Sequence, residues 1–294
     1  MKKFLILGLF VMLVFSVSSA VAVKPDYVPK EIKEKAKVSL PSNAVEVSPG
    51  VFYLGKAVHK GKTVEGYAII QYKKGFGKPG TECGNGFCEP SENSKSCPAD
   101  CGGDNGEEGS NCYGFLARGA KWKTIEPYVV NTSNTQGLNA SFILTNLALD
   151  INKWETAAGV DIIGNGSSTN EELEADLIEP DNKNEVYFGD VDDYGAIAIT
   201  VVWGRFGGKP SQRELVEWDQ IYDQVDFDWS ASGDANKMDF ENIATHELGH
   251  SVGMDDLYNV KCSEATMYGY ADEGETNKRT LEAGDIIGVQ ELYS

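Results

Sequence analysis

Histidine is scarce in this chain: three in 294 residues, at His59, His246 and His250. That excludes a metal centre built from more than three imidazoles. His59 lies far upstream of the other two, so a centre using all three is a poor fit as well. Positive charge is also short, with 26 Lys and Arg against 45 Asp and Glu and a formal net charge of −19. So acidic a chain is a poor match for nucleic acid or an anionic membrane surface, and neither is expected as a partner. Long hydrophobic runs are restricted to Phe4–Phe15, which is short for a membrane span. That run follows Met1-Lys2-Lys3 and precedes the small residues Ser16, Ser18, Ser19, Ala20 and Ala22. This is the layout of a secretory signal peptide cleaved after Ala20 or Ala22, with a membrane anchor as its rival. Residues 1–22 are therefore expected to be a signal peptide. The mature protein is expected to be secreted and extracellular, with no membrane association after cleavage.

Six cysteines are present, an even number that reads as disulfides in a secreted chain. Cys83, Cys88, Cys97 and Cys101 crowd into residues 81–102, where no ordinary core fits. This stretch is expected to be a disulfide-rich module, with three pairings open. Glu89, Glu92, Asn93 and Asp100 within it are of the type that holds calcium. Residues 103–111, rich in glycine and acid, read as a flexible linker. Ahead of the module, residues 23–80 form a small β-rich N-terminal unit. It has a charged segment at Lys30–Lys37 and strand-like runs from Val45 to Tyr72, broken by a turn at Lys60-Gly61-Lys62. A propeptide and an accessory domain are both open for this unit. Three sequons begin at Asn131, Asn139 and Asn165.

Residues 112–294 are long enough for a full domain. Trp122–Val130 reads as a strand. Ser141–Ala158 reads as a helix, with Leu144, Leu147, Ala148, Ile151, Trp154 and Ala158 at helical spacing, a cap at Asn139 or Ser141, and Gly159 as its stop. Strands are expected at 160–163, 185–189, 196–203 and from Leu215 toward Trp229. A helix after Asp239 carries His246, and another closes the chain from Thr280 to Tyr293. The order implies an α+β fold, a mixed sheet backed by helices.

The chemistry concentrates in His246-Glu247-Leu-Gly-His250-Ser-Val-Gly253-Met-Asp255-Asp256. Residues four apart share a helix face, so both imidazoles can address one metal ion. Glu247 stands beside them, suited to accept a proton from a water that the metal acidifies. A hydrolytic zinc commonly takes three protein ligands and keeps one position for water. With no third histidine in reach, a carboxylate is the economical third ligand. Gly253 permits a positive φ and a sharp turn, which brings Asp256 under the metal, with Asp255 as the fallback.

His-Glu-x-x-His-x-x-Gly-x-x-Asp is similar to the metzincin zinc signature, in the form found in snapalysins, where aspartate replaces the third histidine. Ala265-Thr-Met267-Tyr-Gly-Tyr270 resembles the Met-turn, and Leu281–Tyr293 resembles the C-terminal helix of matrixins. The resemblance covers the chain from about Cys112 and implies a metzincin-like twisted sheet. It implies zinc on His246, His250 and Asp256, Glu247 as general base and then acid, and Met267 as a hydrophobic floor. It also implies that Ala196–Trp203 is the edge strand on which protein or peptide substrates add a strand. The function implied is that of a secreted zinc-dependent endopeptidase. The alternative is a non-catalytic zinc-binding protein of the same fold, acting as a binding or structural module. A third reading takes the ligand from Glu273 or Glu275. No histidine follows His250, so the extra structural zinc of animal matrixins has no evident ligands. Calcium has candidate loops at Asp181, Asn182, Asn184, Asp190, Asp192 and Asp193. Cys112 and Cys262, left over from the cluster, are expected to pair, with a cysteine thiolate on the zinc as the rival. Oligomeric state and the use of the sequons are not assigned.

Overall fold

The computed structural model of the protein describes residues 37–76 and 112–294. The expected signal peptide, the charged segment from Lys30 as far as residue 36, the expected disulfide-rich module and the expected linker lie outside the described residues. The elements in chain order are strands β1 (Lys37–Val38), β2 (Val45–Ser48), β3 (Val51–His59), β4 (Lys62–Lys73) and β5 (Glu126–Asn131), then helix α1 (Ala140–Ala158). Strands β6 (Ile163–Thr169), β7 (Asn184–Val191), β8 (Ala196–Arg205) and β9 (Glu214–Asp223) follow, with two short strands β10 (Trp229–Ser230) and β11 (Met238–Asp239). Helix α2 (Phe240–Ser251), strand β12 (Tyr270–Ala271) and helix α3 (Ala283–Tyr293) complete the chain. The result is α+β, as the sequence implies.

The main sheet runs β2-β3-β4-β8-β9-β7-β5-β6, with β1 joined to β7 and β12 joined to β4. Its first five strands on this path pair antiparallel and the rest parallel. The β3–β4 hairpin turns through Lys60 (φ 47°) and Gly61 (φ 76°). Two left-handed residues in succession give the turn whose twist matches that of paired strands.

One expectation is overturned here. Ala196–Trp203 is not a free edge, because β8 is paired on both sides, with β9 and with β4. The β4 pairing runs from Glu65 opposite Gly204 to Tyr72 opposite Ala196. The cause lies in the composition of β4. Val64, Gly66, Ala68, Ile69, Ile70, Gln71 and Tyr72 are all buried, and a strand buried on both faces belongs inside a sheet. The N-terminal strands therefore extend the large sheet and do not close one of their own.

Helices α1 and α2 cover one face of the sheet. The Asn139 side chain accepts a hydrogen bond from the Ser141 amide at 2.8 Å and caps α1, and Gly159 (φ 72°) ends it. Ile143, Leu147, Ile151 and Trp154 form its buried stripe. Leu144, expected inside, is half-buried, and Ala148 is exposed; the stripe is rotated toward Ile143, so that the Trp154 indole N–H meets the Thr245 carbonyl of α2 at 2.9 Å. His59, at the end of β3 beside the turn at Lys60 and Gly61, is buried. The sequon asparagine Asn131 is also buried and donates to the Glu171 carbonyl, which leaves its amide no room for a glycan. Cys112 and Cys262 are bonded, tying the start of the domain to the loop after Asp256.

Candidate metal centre

Helix α2 is fixed at its first turn. The Asp239 carboxylate accepts from the Asn242 amide at 3.0 Å and is gripped by Arg279 at 2.7 and 2.6 Å. Apart from Glu241, every residue of the helix is buried. A helix buried on all sides leaves its polar side chains only protein or ligand partners. His246 and His250 point their Nε2 atoms at the same spot, 3.2 Å apart. Each Nδ1 is held by a backbone carbonyl, that of Thr266 for His246 (2.7 Å) and that of Met254 for His250 (3.0 Å). Those carbonyls fix the tautomer with the proton on Nδ1 and leave both Nε2 lone pairs free.

The chain leaves the helix through Gly253 (φ 104°), where a Cβ would lie 2.8 Å from the Ala120 carbonyl oxygen. This turn returns Asp256 to the imidazoles, its Oδ1 3.2 Å from His246 Nε2 and 3.5 Å from His250 Nε2. The three ligand atoms lie within 4.8 Å of one another. Burial works against the Asp256 charge, but His250 and His246 outweigh it and hold the carboxyl well below the usual range. Burial likewise opposes charge on His250, yet Asp256 raises its imidazole to about 9. Burial raises Glu247, opposed by both histidines and by a hydrogen bond from Thr200.

This donor set suits zinc: two imidazole nitrogens and one carboxylate oxygen at tetrahedral-site spacing. Asp256 Oδ1 and Glu247 Oε1 are buried and without hydrogen-bond partners. Orphaned acceptors of that kind are accounted for by an ion and a water between them. The rival ligands are engaged elsewhere. Asp255 Oδ1 accepts from the Asp256 amide. Glu273 pairs with Lys73 at 2.6 Å, and Glu275 with Lys278 and Lys74, each at 2.8 Å.

Four residues that shape the site escaped the sequence reading. Thr200 on β8 donates to Glu247 Oε2 at 2.5 Å, leaving only Oε1 free; its signal was a lone hydroxyl within an apolar run. Tyr258 places its hydroxyl 3.0 Å from Asp256 Oδ2, whereas Tyr270 packs edge-on against the Tyr258 ring. Asp285, at the start of α3, accepts from the Thr266 and Met267 amides at 2.8 and 3.3 Å and so steadies the carbonyl that orients His246. Gly249 is required because Met267 Sδ would lie 2.1 Å from a Cβ there. Met267 therefore packs directly against the helix between the two histidines.

In the two acidic loops expected to suit calcium, three of the aspartates have protein partners. Asp192 is taken by Lys37 and Ser39, Asp193 by the Tyr72 hydroxyl, and Asp181 by Lys183. The acidic group that does form is Asp176, Glu217 and Asp219. Its oxygens accept from the backbone amides of Asp176, Asp181, Asn182 and Glu185.

Residues 180–294 match the family described as Matrixin. Macrophage metalloelastase of Oryctolagus cuniculus is 34% identical over 103 residues, which is 34% of this chain and 20% of that protein. The shared stretch is thus a fifth of that relative's length. The C-terminal part of the chain is thus similar to matrixin domains, and its mixed sheet backed by helices agrees with that similarity.

Proposed function

We propose that the protein is a secreted zinc-dependent endopeptidase that uses His246, His250 and Asp256 as metal ligands and Glu247 as its proton-transfer group. The observation that carries this reading is the convergence of the three ligand atoms on one point, with the unpartnered Glu247 Oε1 beside it. Zinc bound there supplies Lewis acidity, lowering the pKa of a coordinated water and polarising a peptide carbonyl. Glu247 Oε2 is occupied by the Thr200 hydroxyl, so Oε1 is the atom that takes the proton of the attacking water and later delivers it to the leaving amine. Met267 and the buried wall around α2 exclude bulk water from that exchange. The substrate class is protein or peptide. Calcium at an acidic loop, secretion after removal of residues 1–22 and the absence of nucleic-acid and membrane partners belong to the same proposal.

The expected outcome of Glu247→Ala is retained zinc with loss of chelator-sensitive cleavage of an unstructured peptide. Cleavage at the wild-type rate would remove Glu247 from the mechanism. The non-catalytic alternative has two observations in its favour: His246, Glu247 and His250 are fully buried, and β8 has no free edge. It predicts bound zinc and no cleavage in any form of the protein.

A further inference from the structure

We propose that the protein carries a basic docking strip, separate from the metal centre, that holds an acidic polypeptide segment of its substrates. The strip is formed by the tip of the β3–β4 hairpin, residues 118–123 and the turn at Pro210–Gln212. That the acidic segment belongs to a substrate rests on the endopeptidase reading; that the strip binds it does not.

The strip stands out by how its cations are paired. Positive charge is scarce, 26 Lys and Arg against 45 Asp and Glu. On other faces a cation meets carboxylates of its own: Lys37 pairs with Asp192, Lys153 with Asp150 and Glu241, and Lys183 with Asp181 and Glu185. Here the ratio is inverted. Lys62, Lys123 and Arg205 share the one carboxylate of Glu214, at 3.5, 3.9 and 3.0 Å. Their neighbours meet backbone carbonyls. Lys123 also donates to the Ser211 carbonyl at 3.0 Å, and Lys121 to the Ser294 carbonyl at 3.1 Å. Arg213 donates to the Arg118 carbonyl at 2.8 Å and to the Gly208 carbonyl at 3.0 Å. A carbonyl satisfies an N–H but leaves the charge uncancelled. That charge faces solvent: the side chains of Lys62, Lys123 and Arg118 are 58%, 40% and 77% exposed.

The shape of the strip selects among anionic partners. A hollow of about 190 Å³ has Lys60, Lys62 and Lys123 at its rim and Val64, Trp122 and Leu215 among its walls. A second hollow, of about 380 Å³, has Arg118 and Lys121 beside Phe115, Pro210 and Leu292. The Lys123 ammonium on the Ser211 carbonyl joins the two, since Ser211 lines the second. Each hollow thus combines cations with apolar side chains. An acidic polypeptide matches both, with carboxylates for the lysines and apolar side chains for the walls. A sulfated polysaccharide has no apolar group for those walls, and its dense charge would meet Glu214 among the lysines.

The strip is also rigid. The Leu215 amide donates to the Lys121 carbonyl at 3.1 Å. A Cβ on Gly119 (φ 82°) would lie 2.8 Å from Pro210 Cβ, so residues 118–123 run directly against the Pro210 turn. A surface already in place loses little freedom on binding. Neither hollow is lined by His246, Glu247, His250 or Asp256. The first reaches the end of α2 through Trp122, whose indole N–H donates to the Ser251 carbonyl at 2.7 Å. A substrate docked there is tethered, which raises its effective concentration at the metal centre. Such binding is equal in the ground and transition states, so it lowers KM and leaves kcat unchanged.

The test compares an unstructured peptide with the same peptide extended by a run of Asp and Glu, using the full zinc-loaded chain. The extended peptide is expected to show a KM about tenfold lower at low salt, since several weak exposed pairs add together. That advantage is expected to vanish at about 0.5 M salt, where exposed charges are screened. In Lys60→Glu/Lys62→Glu/Lys123→Glu the ratio of kcat/KM for the two peptides is expected to fall to about one. The triple Lys→Gln variant at the same positions serves if charge reversal prevents folding. A wild-type ratio in either variant overturns the proposal, as does an equal KM for the two peptides in wild type. Fluorescence anisotropy of the labelled acidic run on Glu247→Ala protein reads binding without cleavage. If the run binds, charge reversal abolishes that binding and no form cleaves peptide, the strip stands and the endopeptidase reading falls. If wild type cleaves both peptides alike and the run does not bind, the endopeptidase reading stands and the strip falls. A sulfated oligosaccharide that binds tighter than the acidic run, or a dimer of the chain that charge reversal dissolves, assigns the strip to another occupant and overturns the proposal.

Discussion

Gly249→Ala sets two physical effects against each other. Helix propensity favours alanine over glycine by about 1 kcal/mol, so a free-standing α2 would gain stability. The packing has the opposite sign. The new Cβ would lie 2.1 Å from Met267 Sδ and 2.8 Å from Trp154 Cζ2. Neither neighbour withdraws easily. The Met267 amide is held by Asp285 at 3.3 Å, and the Trp154 indole N–H by the Thr245 carbonyl at 2.9 Å. Both side chains are fully buried. Overpacking a well-filled core costs about 1–3 kcal/mol, and an overlap this deep belongs at the upper end. The net expectation is a loss of about 2 kcal/mol, read as a lower urea midpoint at unchanged m with the disulfide intact. The double variant Gly249→Ala/Met267→Ala sharpens the test. Met267→Ala alone opens a cavity costing about 2–5 kcal/mol, and the methyl group introduced by Gly249→Ala fills part of it. The pair is therefore expected to lose at least about 1 kcal/mol less than the sum of the single losses. A Gly249→Ala protein more stable than wild type, or strict additivity in the pair, would refute the account of Met267 as a side chain packed against the helix.

Two further predictions concern polar partners. Thr200→Val removes the hydroxyl at 2.5 Å from Glu247 Oε2; a bond to a charged group contributes about 1.5–3 kcal/mol, so kcat/KM for peptide cleavage should fall about 10- to 150-fold. Thr200→Ser should recover most of it, and an unchanged rate with zinc retained would show that the contact is incidental. The second prediction concerns pH. Burial raises the carboxyls of Asp176 and Asp219 and pushes Glu217 up to about 10. The folded state then holds more protons than the unfolded one, so stability is greatest below the ordinary carboxyl range and is lost as pH rises from about 4 toward 10. Glu217→Gln keeps the shape without the ionisation, and its urea midpoint should fall less between pH 5 and pH 9; parallel slopes would remove Glu217 as the source.

What the sequence reveals and what it hides divide along a physical line. The convergent pair His246 and His250 and the turn at Gly253 are short-range features, written in a spacing of four and in one positive φ. The stripe of α1 is legible for the same reason, to within one position. The pairing of β4 with β8 is not, because it joins residues more than a hundred positions apart and no local pattern names a strand's neighbour. A warning was nevertheless present. The run from Ala68 to Tyr72 is nearly continuous in apolar side chains, which is the mark of an interior strand and not of one side of a small two-faced sheet. Tyr258, Thr200 and Asp285 are hidden for a related reason: a hydroxyl or carboxylate reads as surface until the fold shows what it touches.

The supports around the two histidines bear on how such a motif should be judged. A helix with His, Glu and His in register fixes only where three Cα atoms lie. What orients both imidazoles toward one point is the carbonyl at each Nδ1, and these come from outside the helix. The Thr266 carbonyl is in place because Asp285, nineteen residues further on, holds the amides of Thr266 and Met267. The Met254 carbonyl is in place because Gly253 adopts φ 104°, a conformation that strains any other residue. Glu247 is aimed by β8 through Thr200. Under the proposed reading, the capacity to bind metal resides in separate segments that meet only in the folded domain. A chance copy of the motif on a surface helix has the spacing without the carbonyls, and its imidazoles are free to choose the wrong tautomer and rotamer. Loss of Asp285 should accordingly weaken metal binding, although its side chain reaches the site only through the backbone of the turn.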